Sequence, residues 1–318
     1  MTKKYYFLLA SLFFVVAAFS QRKGIVVSQD GTGDYNTVQA AFNAVPKNNK
    51  KPVTILVKKG LYKEKLLLDS SKQFVTLIGE DKFTTILTYD DHSGKITHGG
   101  ETINTYTSQS FLAAADDFTA RNITFRNDAG FTAGQAVAIR ILGDRAAFFN
   151  CRFVGNQDVL FPSKPYTRQY FAYCYIEGTT DFIFGPSSAW FDGCHIHSKK
   201  NSHITAASTP KETGIGYVFN DCVLTADTAL QSVSLGRPWQ PYASVTYINC
   251  WMGNHIQPAG WNNWQKPANE ATARYAEYNS YGPGANAAAR LPWTKQLTTE
   301  EVKKITLKST LGDWNPLK

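Results

Sequence analysis

The chain has 318 residues, with 33 Lys+Arg against 25 Asp+Glu and a formal charge of +8. Hydrophobic residues make up 43% and charged residues only 18%, which excludes an intrinsically disordered chain. The 23 Gly and 13 Pro are too few and too scattered for a collagen-like or low-complexity sequence.

At the N-terminus, Lys3 and Lys4 precede an uncharged, mostly apolar run from Tyr5 to Phe19. Ala18 and Ser20 then put small residues at the −3 and −1 positions before Gln21. This is the pattern of a secretory signal peptide over residues 1–20, cleaved after Ser20. The run is short for a membrane span, which takes about 20 residues, and no later segment is apolar for long enough. The sequence therefore predicts a single exported domain over residues 21–318, in the periplasm or outside the cell, free of the membrane once cleaved. Removing residues 1–20 leaves 31 basic and 25 acidic residues, a charge of +6. A basic exported protein points to a polyanionic partner such as an acidic polysaccharide. No run of five or more Lys/Arg occurs, so nucleic acid is not expected.

Between Gly33 and Pro46, apolar residues fall at Val38, Ala41, Phe42 and Val45, a stripe that predicts a short amphipathic helix. Further on, five cysteines are each followed two residues later by a large apolar side chain: Cys151/Phe153, Cys174/Ile176, Cys194/Ile196, Cys222/Leu224 and Cys250/Met252. Ile123/Phe125 fits the same frame, and the spacings from Ile123 onward are 28, 23, 20, 28 and 28 residues. A short strand recurring at that period is the signature of a solenoid. Alternation along the strand puts each Cys and its apolar partner on one face, so the cysteines are expected to form a buried ladder in a parallel β-helix. An isolated disulfide between adjacent rungs is also compatible with that spacing. No C-x-x-C element of the kind that holds zinc is present. From Pro52 to about Gly260 there is room for roughly eight coils. A solenoid exposes its core at its ends and needs caps; the helix near Val38 suits one end. Thr298 and Glu301 form a capping box opening a helix through about Thr306. Capped ends suit a monomer.

The repeat also places chemistry. Asp158 lies seven residues after Cys151, and Asp181 seven residues after Cys174. In register, the two carboxylates stand on adjacent coils about 5 Å apart. Such a pair cannot ionise twice at low cost, so one holds a proton near neutrality, supplying an acid with a base or a nucleophile. The competing reading is that both simply cap turns. His195 and His197 share an outward face around Ile196, but two imidazoles do not complete a zinc site. No G-x-S-x-G elbow and no dinucleotide or P-loop pattern occurs.

Five ordered motifs then carry a resemblance. They are Gly60-Leu-Tyr-Lys-Glu64, Gln135-Ala-Val-Ala138, Gln157-Asp-Val-Leu160, Asp181-Phe-Ile-Phe-Gly185 and Leu235-Gly-Arg-Pro-Trp239, with a closing segment Tyr275-Ala-Glu-Tyr278 and Gly282-Pro-Gly284. In this order and spacing the chain, from about Ser28 to Trp293, resembles the pectin methylesterases (pectinesterases). One departure is Val159, where the family's Q-D-T-L has Thr. The resemblance implies a right-handed parallel β-helix, no cofactor or metal, and hydrolysis of the C6 methyl esters of galacturonate units in pectin. It further implies Asp181 as nucleophile, Asp158 as proton donor and then acceptor, and Gln135 and Gln157 as oxyanion donors. Arg237 would hold Asp181 charged and oriented, Trp239 would stack on a sugar ring, and Thr105 would contact substrate. Taken singly, Gln135 and Gln157 could instead be rungs of a polar ladder, Arg237 an ordinary ion pair and Trp239 a core ring. Two other functions compete. A glycoside hydrolase on the same polymer would release reducing ends without methanol, and a silent carbohydrate-binding solenoid would bind without turnover.

Overall fold

The computed structural model describes residues 24–318; the leader read over residues 1–20 lies outside them. The described residues form 26 strands in three sheets of eleven, eight and seven strands, here called sides A, B and C. The chain visits them in turn. Thr119–Arg121 lies on side A, Thr124–Asn127 on side B and Ile139–Ile141 on side C, and Ala146–Phe149 returns to side A one rung along. Because each coil repeats the same path, neighbouring strands pair in parallel, and the result is a right-handed parallel β-helix. From Val53 onward seven coils have all three strands. An eighth, with Ser244–Ile248 and Trp251–Met252, has its third side reduced to two isolated bridges, Val233 to Ile256 and Gly236 to Trp261. This agrees with the coil number expected from the repeat.

The register turns the sequence repeat into ladders. Arg152 pairs with Tyr175, Tyr175 with His195, His195 with Val223 and Val223 with Trp251, so the five preceding cysteines stand one above another. All five are buried and free of disulfides, as is the Ile123 that begins the series. Beside them, Phe125, Phe153, Ile176, Ile196, Leu224 and Met252 form a second buried row. On the inner face of side A a third row stacks ring on ring. Phe148, Phe171, Phe191, Phe219 and Tyr247 have successive centroids 4.9, 4.7, 4.4 and 4.5 Å apart. Side A turns into side B through a single residue of left-handed φ, Asn122, Asn150, Tyr173, Gly193, Asp221, Asn249 and Asn279 in successive coils. Asn and Asp tolerate this conformation best among residues with a side chain, and the amides cross-link, Asn150 Nδ2 donating to Asn122 Oδ1 at 2.8 Å.

The helix near the N-terminus runs Val38–Ala44, with Thr37 as its N-cap and Val38, Ala41 and Phe42 buried. Phe42 stacks on Phe111 at 5.5 Å, covering the open end of the core. Glu64, last residue of the first motif, accepts hydrogen bonds from the Val38 and Gln39 N–H groups; its work is to hold this cap. The capping box of Thr298 and Glu301 is formed, but its helix stops at Val302, and Thr306 opens a second helix, Leu307–Leu311. These helices lie along the outer face of side A. Val302, Ile305, Leu307 and Leu311 pack there on Ala147, Tyr170, Ala172, Trp190, Val218 and Ile248. The C-terminal end of the stack is closed by Trp261, Tyr275 and Trp293 and by a buried ion pair between Arg290 and Glu277.

Candidate active site

Asp158 and Asp181 occupy the turn that carries the chain from side B to side C, just ahead of strands Leu160–Pro162 and Ile183–Gly185. Leu160 pairs with Ile183, so the aspartates two residues earlier share one station on adjacent coils. Their backbones are tied along the stack. The Asp158 N–H donates to Thr180 O at 3.1 Å and the Asp181 N–H to His203 O at 2.8 Å. Both residues have left-handed φ, 65° and 50°, a conformation Asp adopts more readily than most residues. Turn-forming and chemical readings of the pair thus coincide. Gly185 closes the motif at φ 127°, where a Cβ would lie 2.3 Å from Pro162 O.

The two carboxylates are both buried but not alike. Arg237 grips Asp181 with two parallel bonds, Nε to Oδ1 at 3.0 Å and Nη2 to Oδ2 at 2.7 Å. Burial pushes the Asp181 carboxyl above its ordinary range, and the Arg237 bonds and charge oppose that rise without cancelling it. Among the described residues Asp158 has no cation of its own. Burial and then the Asp181 charge push it well above the ordinary value, with weaker opposition from Arg237 and the Gln157 amide. One member is therefore biased toward carboxylate and the other toward carboxylic acid.

Gln135 and Gln157 are paired across adjacent coils by an isolated parallel bridge, and the Ala136 N–H donates to Gln157 O at 3.0 Å. They are rungs of a ladder, and both also line the cleft over the aspartates. That cleft, of about 200 Å³, brings together all seven residues singled out in the sequence: Thr105, Gln135, Gln157, Asp158, Asp181, Arg237 and Trp239. Four more join them that the sequence did not point to: Tyr106, Phe184, Ala206 and Trp264. The Arg237 guanidinium carbon lies over the Trp264 ring, 3.7 Å from its centroid, so the indole backs the cation that meets Asp181. Phe184 stacks on Phe161 at 4.0 Å, and Trp239 leans over both at 6.0 and 6.5 Å. Thr105 opens a short 3-10 turn, Thr105–Thr107, held by an Asn104 capping box. Val159, the departure from the family motif, is buried in the core and not in the cleft. His195 and His197 sit on side B, sharing the Thr225 hydroxyl, apart from this site.

The geometry is that of a shallow, aromatic-floored groove with an acid, a clamped carboxylate and two amides, fit to bind a sugar polymer and transfer an acyl group. Comparison with known proteins agrees. The Pectinesterase family profile matches residues 24–313. Pectinesterase 31 of Arabidopsis thaliana is 40% identical over 280 residues, 86% of this chain and 88% of its own. Among solved structures, pectin methylesterase from carrot superposes with a TM-score of 0.83 at 33% identity, covering 90% of this chain and 92% of the other. A pectin methylesterase in complex with a hexasaccharide gives 0.82 at 28% identity over 92% and 98%. The chain belongs to the pectinesterase family, carboxylic ester hydrolases of the parallel β-helix fold.

Proposed function

We propose that this pectin methylesterase cleaves the C6 methyl ester of galacturonate units with Asp181 as nucleophile and Asp158 as general acid, then base. A carboxylate oxygen of Asp181 attacks the ester carbonyl carbon. The negative charge that develops on the carbonyl oxygen is met by the side-chain N–H groups of Gln135 and Gln157, preorganised donors that need no proton transfer. As the tetrahedral species collapses, the bond to methoxide breaks and Asp158 delivers the proton, so that methanol departs. Asp158, now ionised, takes a proton from water. The resulting hydroxide attacks the acyl carbon, the bond to the Asp181 oxygen breaks to free its carboxylate, and the galacturonic acid group leaves, losing its proton to solvent. Arg237 keeps Asp181 charged and aimed, and Trp239 and Thr105 hold the sugar.

The observation that carries this reading is the asymmetry of the pair, Asp181 bidentate on Arg237 and Asp158 buried without a cation. The test is methanol release from highly methyl-esterified pectin, with reducing ends counted in parallel. Methanol without new reducing ends is expected, and Asp181→Ala should abolish it. Reducing ends without methanol would make the chain a glycosidase, and undiminished release by a folded Asp181→Ala protein would displace the nucleophile. The exported form is proposed to be a monomer beginning at Gln21, which N-terminal sequencing and sedimentation of secreted material check.

A further inference from the structure

The outer faces of the three sides differ. The C-terminal helices cover much of side A and the cleft occupies side C. On side B an outward row runs in register through Arg152, Tyr175, His195, Val223 and Trp251, with Tyr281 bridging to Trp251. At one strand spacing per step this ribbon is about 24 Å long. Val223 is 41% and Tyr281 58% exposed. Cross-strand aromatic pairs stabilise a sheet in their own right, and that explains much of the row.

It does not explain two turn residues beside it. Phe83 and Tyr173 are 60% and 70% exposed. Tyr173 has φ 53° at the corner where the six other coils place Asn, Asp or Gly, and a bulky residue there is strained. Its ring lies against the bare backbone of Gly193 on the next coil, where a Cβ would come within 3.0 Å of two ring carbons. The Arg152 guanidinium sits between Phe83 and Tyr175, 5.2 Å from each ring centroid, and Lys82 Nζ is 5.3 Å from Phe83. Neither cation has an ion-pair partner among the described residues, Lys82 Nζ donating only to the neutral Asn150 Oδ1 at 2.6 Å. Of the nearby acids, Glu177 pairs with Lys199, Asp227 is hydrogen-bonded to His197 at 3.1 Å and Asp221 accepts from Asn220 at 2.8 Å. Lys82, Phe83, Arg152, Tyr173, Tyr175 and Gly193 line a depression of about 310 Å³.

We propose that this part of side B is a second, non-catalytic binding surface for an anionic polysaccharide. Pyranose C–H faces stack on Phe83, Tyr173 and Tyr175, and uronate carboxylates pair with Arg152 and Lys82. The occupant rests on the reading that the cleft acts on a galacturonan, whose de-esterified product is a polyanion complementary to these two cations. A chain held on side B stays near the cleft after its methyl groups are gone.

The test is electrophoresis of the full chain through native gels containing polygalacturonate or a neutral galactan. Phe83→Ala combined with Tyr173→Asn keeps the residue type that neighbouring coils use at this corner, so it should melt no lower than the unmodified chain. Its retardation by polygalacturonate should nevertheless fall roughly threefold to tenfold. Arg152→Gln should weaken retardation at low salt and differ little from the unmodified chain at high salt. Unchanged retardation in both variants overturns the proposal, as does equal retardation of the unmodified chain by the neutral galactan. Methanol release is measured separately. A chain retarded through side B that releases no methanol would refute the enzymatic reading alone, and one that releases methanol without this retardation would refute the surface alone.

Discussion

At the scale of single residues, the site depends on two neighbouring carboxylates being made unequal. Asp158→Asn leaves shape and burial intact but removes the transferable proton, so kcat should fall by roughly 10²–10⁴. The same change has a stability signature. The folded-state pKa of Asp158 is raised, so its contribution to stability is fully present below the ordinary carboxylate pKa and is lost as pH rises through the folded value. Asp158→Asn should therefore match the native Tm near pH 4 and exceed it near pH 8 by roughly 2–4 °C; equal Tm at both pH values would remove the buried-acid argument. Arg237→Ala acts on the other carboxylate. Without its guanidinium, burial alone sets the Asp181 pKa and drives it up, so the acid limb of kcat/KM should move to higher pH. The rate should fall on the order of 10²-fold through lost aim, with partial recovery on raising the pH. A uniform fall with an unmoved limb would leave Arg237 an orienting role only. Asp158 and Asp181 are legible from the repeat itself, through their shared seven-residue offset, whereas Thr105, Gln135, Gln157, Arg237 and Trp239 are reached only through the motifs that carry the family resemblance. Trp264 was not legible because it lies in the irregular stretch after the last strand of side B, with no repeat to give it a partner. Phe184 stands inside the Asp181–Gly185 motif, but two adjacent core residues, Phe182 and Ile183, hide the alternation that would mark it as outward.

At the scale of elements, the same contrast separates side B from side A. Side B is half-exposed, its strands alternate, and the cysteine rows were visible from spacing alone. The aromatic row Phe148, Phe171, Phe191, Phe219 and Tyr247 is as regular, always three residues before a cysteine. It is hidden in the sequence because outward neighbours such as Phe149, Tyr170 and Trp190 are also apolar, and a strand covered on both faces shows a continuous hydrophobic run. The cover is the pair of C-terminal helices, whose packing on the flank of the stack is a long-range contact that local capping signals cannot reveal. The cysteines allow a direct check on the interior. Buried thiols remote from cations are poor nucleophiles, so all five should resist a thiol reagent in the native protein and titrate after denaturation. Two or more reactive native thiols, or a disulfide found by mass spectrometry, would mean the ladder is not the closed interior described.

At the scale of the whole molecule, a solenoid is held by contacts between neighbouring coils, so its ends decide how it opens. The N-terminal end is closed by apolar rings under the Val38–Ala44 helix. The C-terminal end is closed differently, by a charge pair sealed inside. Arg290 Nε donates to Glu277 Oε1 at 2.8 Å and Nη2 to Oε2 at 3.1 Å, while the Trp261 indole N–H donates to the same carboxylate at 3.1 Å. Such a pair adds little over a well-packed apolar substitute, but removing one member strands the other's charge, at about 3–5 kcal/mol. Glu277→Gln should therefore lower Tm strongly, and adding Arg290→Met should restore part of the loss. Because Trp261 bridges to Gly236, next to Arg237, and lies three residues before Trp264, this end of the stack carries the clamp on Asp181. In Glu277→Gln, amide exchange should then rise first in Arg274–Tyr278 and Ser244–Ile248, while Thr119–Arg121 stays protected. Activity should be lost on heating before the central coils unfold. Simultaneous loss of activity and of protection in all coils would show that the stack opens as one unit and that the ion pair has no local role in supporting the cleft.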